Sequence, residues 1–237
     1  MKLIISNLKM NLTLEEIKSY IQQLNEIKCQ RNKLIVCPSY PYLSYFNGKN
    51  YSLGSQNVAS EKMGAFTGEV SIEQLTSLGI HYVIIGHSER RTHLKEDSDL
   101  IRKKLSLCFD YDVIPILCIG ENLEEKEKRT EVLKSQIDSA LQGLKLKDII
   151  LAYEPVWSIG TGFIPTREEI KNTLDWMKKY MKSHYSIECK VVYGGSVNPR
   201  NIESLNQIEE IDGYLIGGAS LKIEELKRII EVLEVEK

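Results

Sequence analysis

The chain has 237 residues, 42% of them hydrophobic and 27% charged, with a net charge of −2; this suits one large α/β domain and offers no basic excess to draw the chain onto nucleic acid or an anionic membrane. The longest apolar stretch, Val113–Ile119, is seven residues long against roughly 20 for a membrane span, and residues 1–11 are too short and too quickly polar for a secretory signal. Five cysteines (Cys29, Cys37, Cys108, Cys118 and Cys189) show no CxxC spacing and read as reduced, cytoplasmic thiols.

Short apolar runs alternate with amphipathic stretches. Strands are predicted at Leu3–Ser6, Leu34–Cys37, Tyr51–Gly54, Tyr82–Ile85, Val113–Ile119, Ile149–Ala152, Cys189–Tyr193 and Gly213–Ile216. None shows clean polar alternation, as expected of strands buried on both faces in a parallel sheet. Between them, Leu14–Ile27 sets Ile17, Ile21 and Leu24 on one side, and Leu123–Leu141 carries Leu133, Ile137 and Leu141 at helical spacing. Thr166 and Glu169 form a capping box ahead of Ile170, Leu174 and Met177, and Leu221–Leu233 closes the chain. Eight strand–helix units of about 30 residues, with no linker between them, favour a closed (β/α)8 barrel in one domain over residues 1–237. A doubly wound open sheet is the alternative that periodicity does not exclude.

In parallel α/β folds chemistry gathers where the strands end. Gly194-Gly195-Ser196 follows the seventh predicted strand and Gly217-Gly218-Ala219-Ser220 the eighth. Glycine lets backbone N–H groups approach an anion, and a following helix N-terminus adds a favourable dipole. Two such turns in register point to a phosphate site rather than to two ordinary tight turns. Lys9, His87 and Glu154 stand at the ends of strands one, four and six. An ammonium, an imidazole and a carboxylate around a phosphate site suit enolisation beside a carbonyl, in which the carboxylate removes a carbon-bound proton and the others stabilise the oxyanion. Taken singly, Lys9 could be a solvated lysine, His87 a cap or core residue, and Glu154 an ion-pair partner. His81, His87 and His93 match no metal spacing, and neither GxGxxG nor GxxxxGK[ST] occurs, so no metal and no cofactor are expected.

The residues resemble the triosephosphate isomerase family from end to end: Asn7-Leu8-Lys9-Met10-Asn11, Gly64-Ala65-Phe66-Thr67-Gly68-Glu69, Gly86-His87-Ser88-Glu89-Arg90-Arg91, Cys118-Ile119-Gly120-Glu121, Glu154-Pro155-Val156-Trp157 and the two Gly-Gly turns. The resemblance implies a cofactor-free isomerase of triose phosphates acting in cytoplasmic glycolysis and gluconeogenesis. It implies that Glu154 moves the proton, that a neutral His87 at a helix N-terminus polarises the carbonyl, and that Lys9 and Asn7 hold the oxyanion. It further implies that amides of Gly160, Ser196, Gly217 and Gly218 bind the phosphate, that Glu89 pairs with Lys9, and that Ile159 and Leu215 clamp over Glu154 and raise its basicity. A homodimer follows, with the loop Gln56–Glu69 inserted into the partner and Thr67 reaching the partner's site. The nearest rivals are a sugar-phosphate epimerase or phosphoribosyl isomerase on the same barrel, and a barrel kept only for binding.

Three positions depart from the family pattern. Leu8 stands where tryptophan is usual, the chain is slightly short, and the lid's C-terminal hinge is Phe163-Ile164-Pro165 rather than Lys-Thr-Ala. Proline has no N–H, so the latch implied between the Tyr193 hydroxyl and that position loses its donor, a loss of about 0.5–1.5 kcal/mol. Lid closure is therefore expected to depend less on Tyr193. Latches from the Ser196 hydroxyl to the Gly162 amide and from Trp157 to Glu121 are expected to remain.

Overall fold

The structure is a computed structural model that describes residues 1–160 and 163–235. Eight parallel strands close into a barrel in chain order, and β8 pairs back onto β1. They are β1 Leu3–Asn7, β2 Lys33–Cys37, β3 Ser52–Ser55, β4 Tyr82–Ile85, β5 Ile114–Ile119, β6 Ile150–Tyr153, β7 Lys190–Tyr193 and β8 Gly213–Ile216. Each overlaps its predicted run. The absence of polar alternation has its cause here. Ile4, Val36, Val83, Leu117, Leu151 and Val191 face an outer core under the helices, while their neighbours Leu3, Ile5, Ile35, Ile84, Ile116 and Val192 fill the barrel interior.

The surrounding helices are α1 Leu14–Leu24, α2 Ile72–Ser77, α3 Ser88–His93, α4 Ser98–Asp110, α5 Arg129–Leu141, α6 Arg167–Tyr185, α7 Ile202–Asn206 and α8 Ile223–Glu234. They are not shared one to a strand, as eight regular units would have it. A 3₁₀ turn, Tyr40–Tyr45, follows β2, and both α3 and α4 follow β4. The stretch read as one helix over Leu123–Leu141 is a 3₁₀ turn, Leu123–Lys128, and then α5. The charged run in that turn buries nothing, and burial begins at Leu133 with Ile137, Ala140 and Leu141 behind it. Helix α6 opens on the expected capping box, with Thr166 and Glu169 each accepting the other's backbone N–H at 3.2 and 2.7 Å. No helix among the described residues is long and apolar enough to cross a membrane.

The seam that closes the barrel is tied from outside. The Glu234 carboxylate at the end of α8 accepts the successive backbone N–H groups of Gln30, Arg31 and Asn32 at 3.0, 3.0 and 3.1 Å, a nest that favours an anion. Burial raises the Glu234 pKa, but the amides of Arg31, Gln30 and Asn32 outweigh it and hold the pKa below 4.5. A depressed folded-state pKa contributes stability above the unfolded value, and that stability is lost as pH falls. Glu234→Gln is expected to lower unfolding free energy by about 1–2 kcal/mol at neutral pH, with the difference vanishing well below pH 4.5. Urea melts of both proteins at the two pH values check this; an equal difference at both would exclude the charge as its source.

Candidate active site

Every strand delivers its last residues to one rim of the barrel, and strands β1, β4, β6, β7 and β8 build a single cavity of about 310 Å³ there. Asn7, Lys9, His87, Glu154, Ile159, Gly160, Ser196, Leu215, Gly217 and Gly218 all line it. Of the residues singled out in the sequence, Glu89 stands behind the wall, paired with Lys9, and Thr67 lies outside it on the exposed loop.

Glu154 is fixed by an extension of the sheet past β6. Its N–H donates to the Ile119 carbonyl at 2.8 Å, and the Gly194 N–H donates to the Tyr153 carbonyl at 2.8 Å. Gly120 is required for this fit, since a Cβ there would stand 1.6 Å from the Glu154 carbonyl oxygen. The carboxylate is buried, at 2% exposure. One oxygen lies 3.0 Å from His87 Nε2 and the other accepts the Ser88 N–H at 3.1 Å.

His87 is the N-cap of α3, and its Nδ1 accepts the Glu89 N–H at 3.3 Å. An accepting Nδ1 leaves a ring proton on Nε2, so the imidazole faces Glu154 as a donor. The helix N-terminus also disfavours a cation there. Burial lowers the His87 pKa, and the Glu154 and Glu89 carboxylates raise it beyond that effect while Glu154 stays in contact. Burial raises the pKa of Glu154, and His87, the Ser88 amide and Lys9 together hold it below its ordinary value. If the carboxylate leaves His87 and Ser88, burial remains and its basicity rises.

Lys9 has a left-handed backbone, φ 51°, a conformation that a non-glycine residue holds only when its surroundings enforce it. Here the Lys9 N–H donates to Asn7 Oδ1 at 3.0 Å, and the Lys9 carbonyl accepts from Ser39 Oγ and Gln56 Nε2, both at 2.8 Å. Its ammonium meets Glu89 Oε1 at 2.5 Å. Because the Asn7 carboxamide oxygen is committed to Lys9, its NH₂ is left for the cavity. Leu8, where the resemblance leads one to expect tryptophan, is buried in the outer core.

On the opposite wall, the amides of Ser196, Gly217 and Gly218 have no hydrogen-bond acceptor among the described residues. Gly217 lies against the Lys9 side chain, where a Cβ would come within 3.0 Å of Lys9 Cε. A Cβ at Gly160 or Gly218 would meet nothing within 4 Å, so the mouth between the lid and the cradle is open. The cavity thus joins free backbone donors with a buried carboxylate, an imidazole and one ammonium.

The triosephosphate isomerase family profile matches residues 2–233. The chain belongs to the triosephosphate isomerase family. It is 39% identical to a triosephosphate isomerase of Clostridium botulinum (strain Loch Maree / Type A3), over 96% of this chain and 98% of that one. It is 42% identical to the triosephosphate isomerase of Finegoldia magna, over 96% and 97%, and 42% identical to that of Dictyoglomus turgidum, over 93% and 95%.

The sequence had not pointed to Ser88, Ser39 or Gln56 as parts of the site. Ser88 acts through its backbone, and Ser39 and Gln56 through contacts with a residue far away in the chain; no local pattern announces either. Of the latches read from the family, Trp157 Nε1 does donate to Glu121 Oε1, at 3.1 Å. Pro165 is buried, and the Tyr193 hydroxyl, also buried, has no partner among the described residues. The Ser196–Gly162 latch lies outside the described residues.

Gly194 limits the base from below: a Cβ there would stand 3.0 Å from Glu154 Cγ. Gly194→Ala is expected to reduce turnover roughly ten- to a hundredfold by displacing the carboxylate while the protein stays folded. Unchanged turnover with an unchanged thermal midpoint would show that the base tolerates the crowding.

Proposed function

We propose that the chain interconverts D-glyceraldehyde 3-phosphate and dihydroxyacetone phosphate in cytoplasmic glycolysis and gluconeogenesis, with Glu154 as the base. The observation that carries this reading is the direct contact of a buried carboxylate with a buried imidazole in a cavity that also presents three unbonded amides. Family membership and the names of the relatives support it independently. The phosphate would take the N–H groups of Ser196, Gly217 and Gly218, with Gly160 closing from the lid. The substrate carbonyl would replace Glu154 as acceptor of the His87 Nε2 proton. That exchange frees the carboxylate, and it leaves the surroundings that keep its pKa low just as a carbon acid comes within reach.

Glu154 would remove the proton from the carbon beside the carbonyl and return it to the former carbonyl carbon through an enediolate, while the hydroxyl proton passes from one oxygen to the other by way of His87 Nε2. The negative charge appears on oxygen, where His87 Nε2–H, the Lys9 ammonium and the Asn7 NH₂ converge. Glu89 holds Lys9 in line. Ile159 and Leu215, on the cavity wall beside Glu154, would exclude water when the lid closes. Pro165, which has no N–H to offer the Tyr193 hydroxyl, supports a closure that does not rely on Tyr193. No step calls for a metal or cofactor.

Purified protein assayed with glyceraldehyde 3-phosphate is expected to turn over, and Glu154→Gln to lose at least about a thousandfold, within the range for a positioned acid–base group. Equal activity in both would remove Glu154 from the mechanism. A folded wild type without activity would leave a phosphate-binding barrel of another kind.

A homodimer is part of the same reading. Residues 61–69 are exposed throughout, and Met63 on this loop is 68% exposed. Met10, Tyr45, Phe66 and Leu94, in the connections after β1 to β4, are exposed as well. Apolar groups gathered on one part of a rim suit burial against a second copy. Gly64 and Gly68, at φ 140° and 93°, shape the turn that projects Thr67. Sedimentation is expected to give twice the mass of one chain, and Met63→Lys with Phe66→Lys to give the mass of one. A monomeric wild type would sink the dimer and the role of Thr67 with it.

A further inference from the structure

The lid leaves the barrel at the 3₁₀ turn Val156–Ser158 and rejoins it at the capping box of α6. Both ends meet one short segment, the turn after β5. At the entry, the Trp157 indole N–H donates to Glu121, and the Lys126 ammonium lies 4.8 Å from the centre of the indole ring. At the exit, Glu169 Oε2 accepts the Thr166 N–H at 2.7 Å, and Glu169 Oε1 pairs with the same Lys126 ammonium at 2.9 Å. Arg129 braces the frame behind, with Nε 3.1 Å from Glu121 Oε1 and the guanidinium 3.6 Å from Glu169 Oε1. Among the described residues, Lys126 is the cation that touches both the entry ring and the exit carboxylate.

The two ends are not equally mobile. Pro165 fixes its own φ, and the capping box pins the next residue, so the exit is stiff. To cover the mouth, the segment after Pro155 must turn at the entry, where Trp157 is the first bulky side chain. A turn there would carry the ring away from the Lys126 ammonium, while the Lys126–Glu169 pair lies beyond the segment that turns.

We propose that Lys126 is a positioning residue that holds the lid open by keeping Trp157 against the root of α6. This rests on the lid of the isomerase reading. The cation–π contact stabilises the open arrangement alone, so removing it favours closure. A ligand that requires the closed lid then binds more tightly, because the competent fraction has risen. Simple structural damage at a lid hinge would weaken that ligand instead, so the sign of the change separates the two.

The test uses Lys126→Met, which keeps the aliphatic stem, and Lys126→Arg, which keeps both contacts. Both are made in a Trp176→Phe background so that Trp157 alone emits. The probe is 2-phosphoglycolate, a phosphate ester whose planar carboxylate resembles an enediolate, at low ionic strength. Lys126→Met is expected to bind it about two- to fivefold more tightly than the parent, the size of an exposed cation–π contact. Its Trp157 emission without ligand should already lie part-way to the bound value, its KM should fall, and its kcat should fall or hold. Lys126→Arg should match the parent. Unchanged or weaker binding by Lys126→Met overturns the proposal, as does a parent that binds the probe with no change in Trp157 emission. Binding with intact Trp157 response but without isomerase turnover would instead overturn the reaction assigned to the site and leave the lid result standing. No binding by the parent would overturn both.

Discussion

The site depends on a contact between a buried carboxylate and a buried imidazole. Glu154 and His87 are hydrogen-bonded to each other at 3.0 Å inside a cavity that excludes most water. Each offsets the burial of the other, which solvent cannot do there. The contact also stores reactivity. A carboxylate held by an imidazole donor and a backbone N–H is a weak base, and the same carboxylate, buried without them, is a stronger one. The device that makes this exchange available is the helix N-terminus at His87. By occupying Nδ1 it commits the ring proton to Nε2, whichever acceptor stands opposite.

The barrel supplies the tolerance that such a contact needs. Glu154 sits one residue beyond β6, between an oxygen-to-glycine approach that no side chain at Gly120 would survive and a Gly194 that just clears its Cγ. Much of this was legible in the sequence. The strands could be found because both faces are buried, and the residues after them could be ranked because chemistry in such folds collects at that end. Lys9, His87, Glu154 and the two glycine turns all reach one cavity, as those positions required.

The parts that could not be read share a cause: they act through the backbone or across long sequence separations. Gln56 and Ser39 clamp the Lys9 carbonyl from 47 and 30 residues away, and in the sequence one is the start of a loop and the other an ordinary serine. The run Leu123–Lys128 looked like the first turns of a helix because its charges fit a solvated face. In the structure one of those charges, Lys126, meets Trp157 and Glu169, and the regular helix with its buried face comes only afterwards. Periodicity reports burial, so it is silent about a turn that buries nothing.

The charge distribution in the cavity follows one rule. Among the described residues Lys9 is the only lysine or arginine on its wall, and it is already paired with Glu89. Among the described residues the cradle of Ser196, Gly217 and Gly218 presents amide dipoles, with Lys9, beside Gly217, as its nearest formal positive charge. A lysine or arginine there would hold a phosphate more firmly, but its field would also reach Glu154 and lower the basicity that proton abstraction requires. Backbone donors act at hydrogen-bond range and leave the dianion's own field largely uncancelled. That field favours the protonated form of a nearby carboxyl, the form Glu154 takes once it has accepted the proton. In the proposed reaction, holding the remote end of the ligand with neutral groups would favour proton uptake by Glu154, and the one ammonium, Lys9, would be left to offset the charge that develops on oxygen.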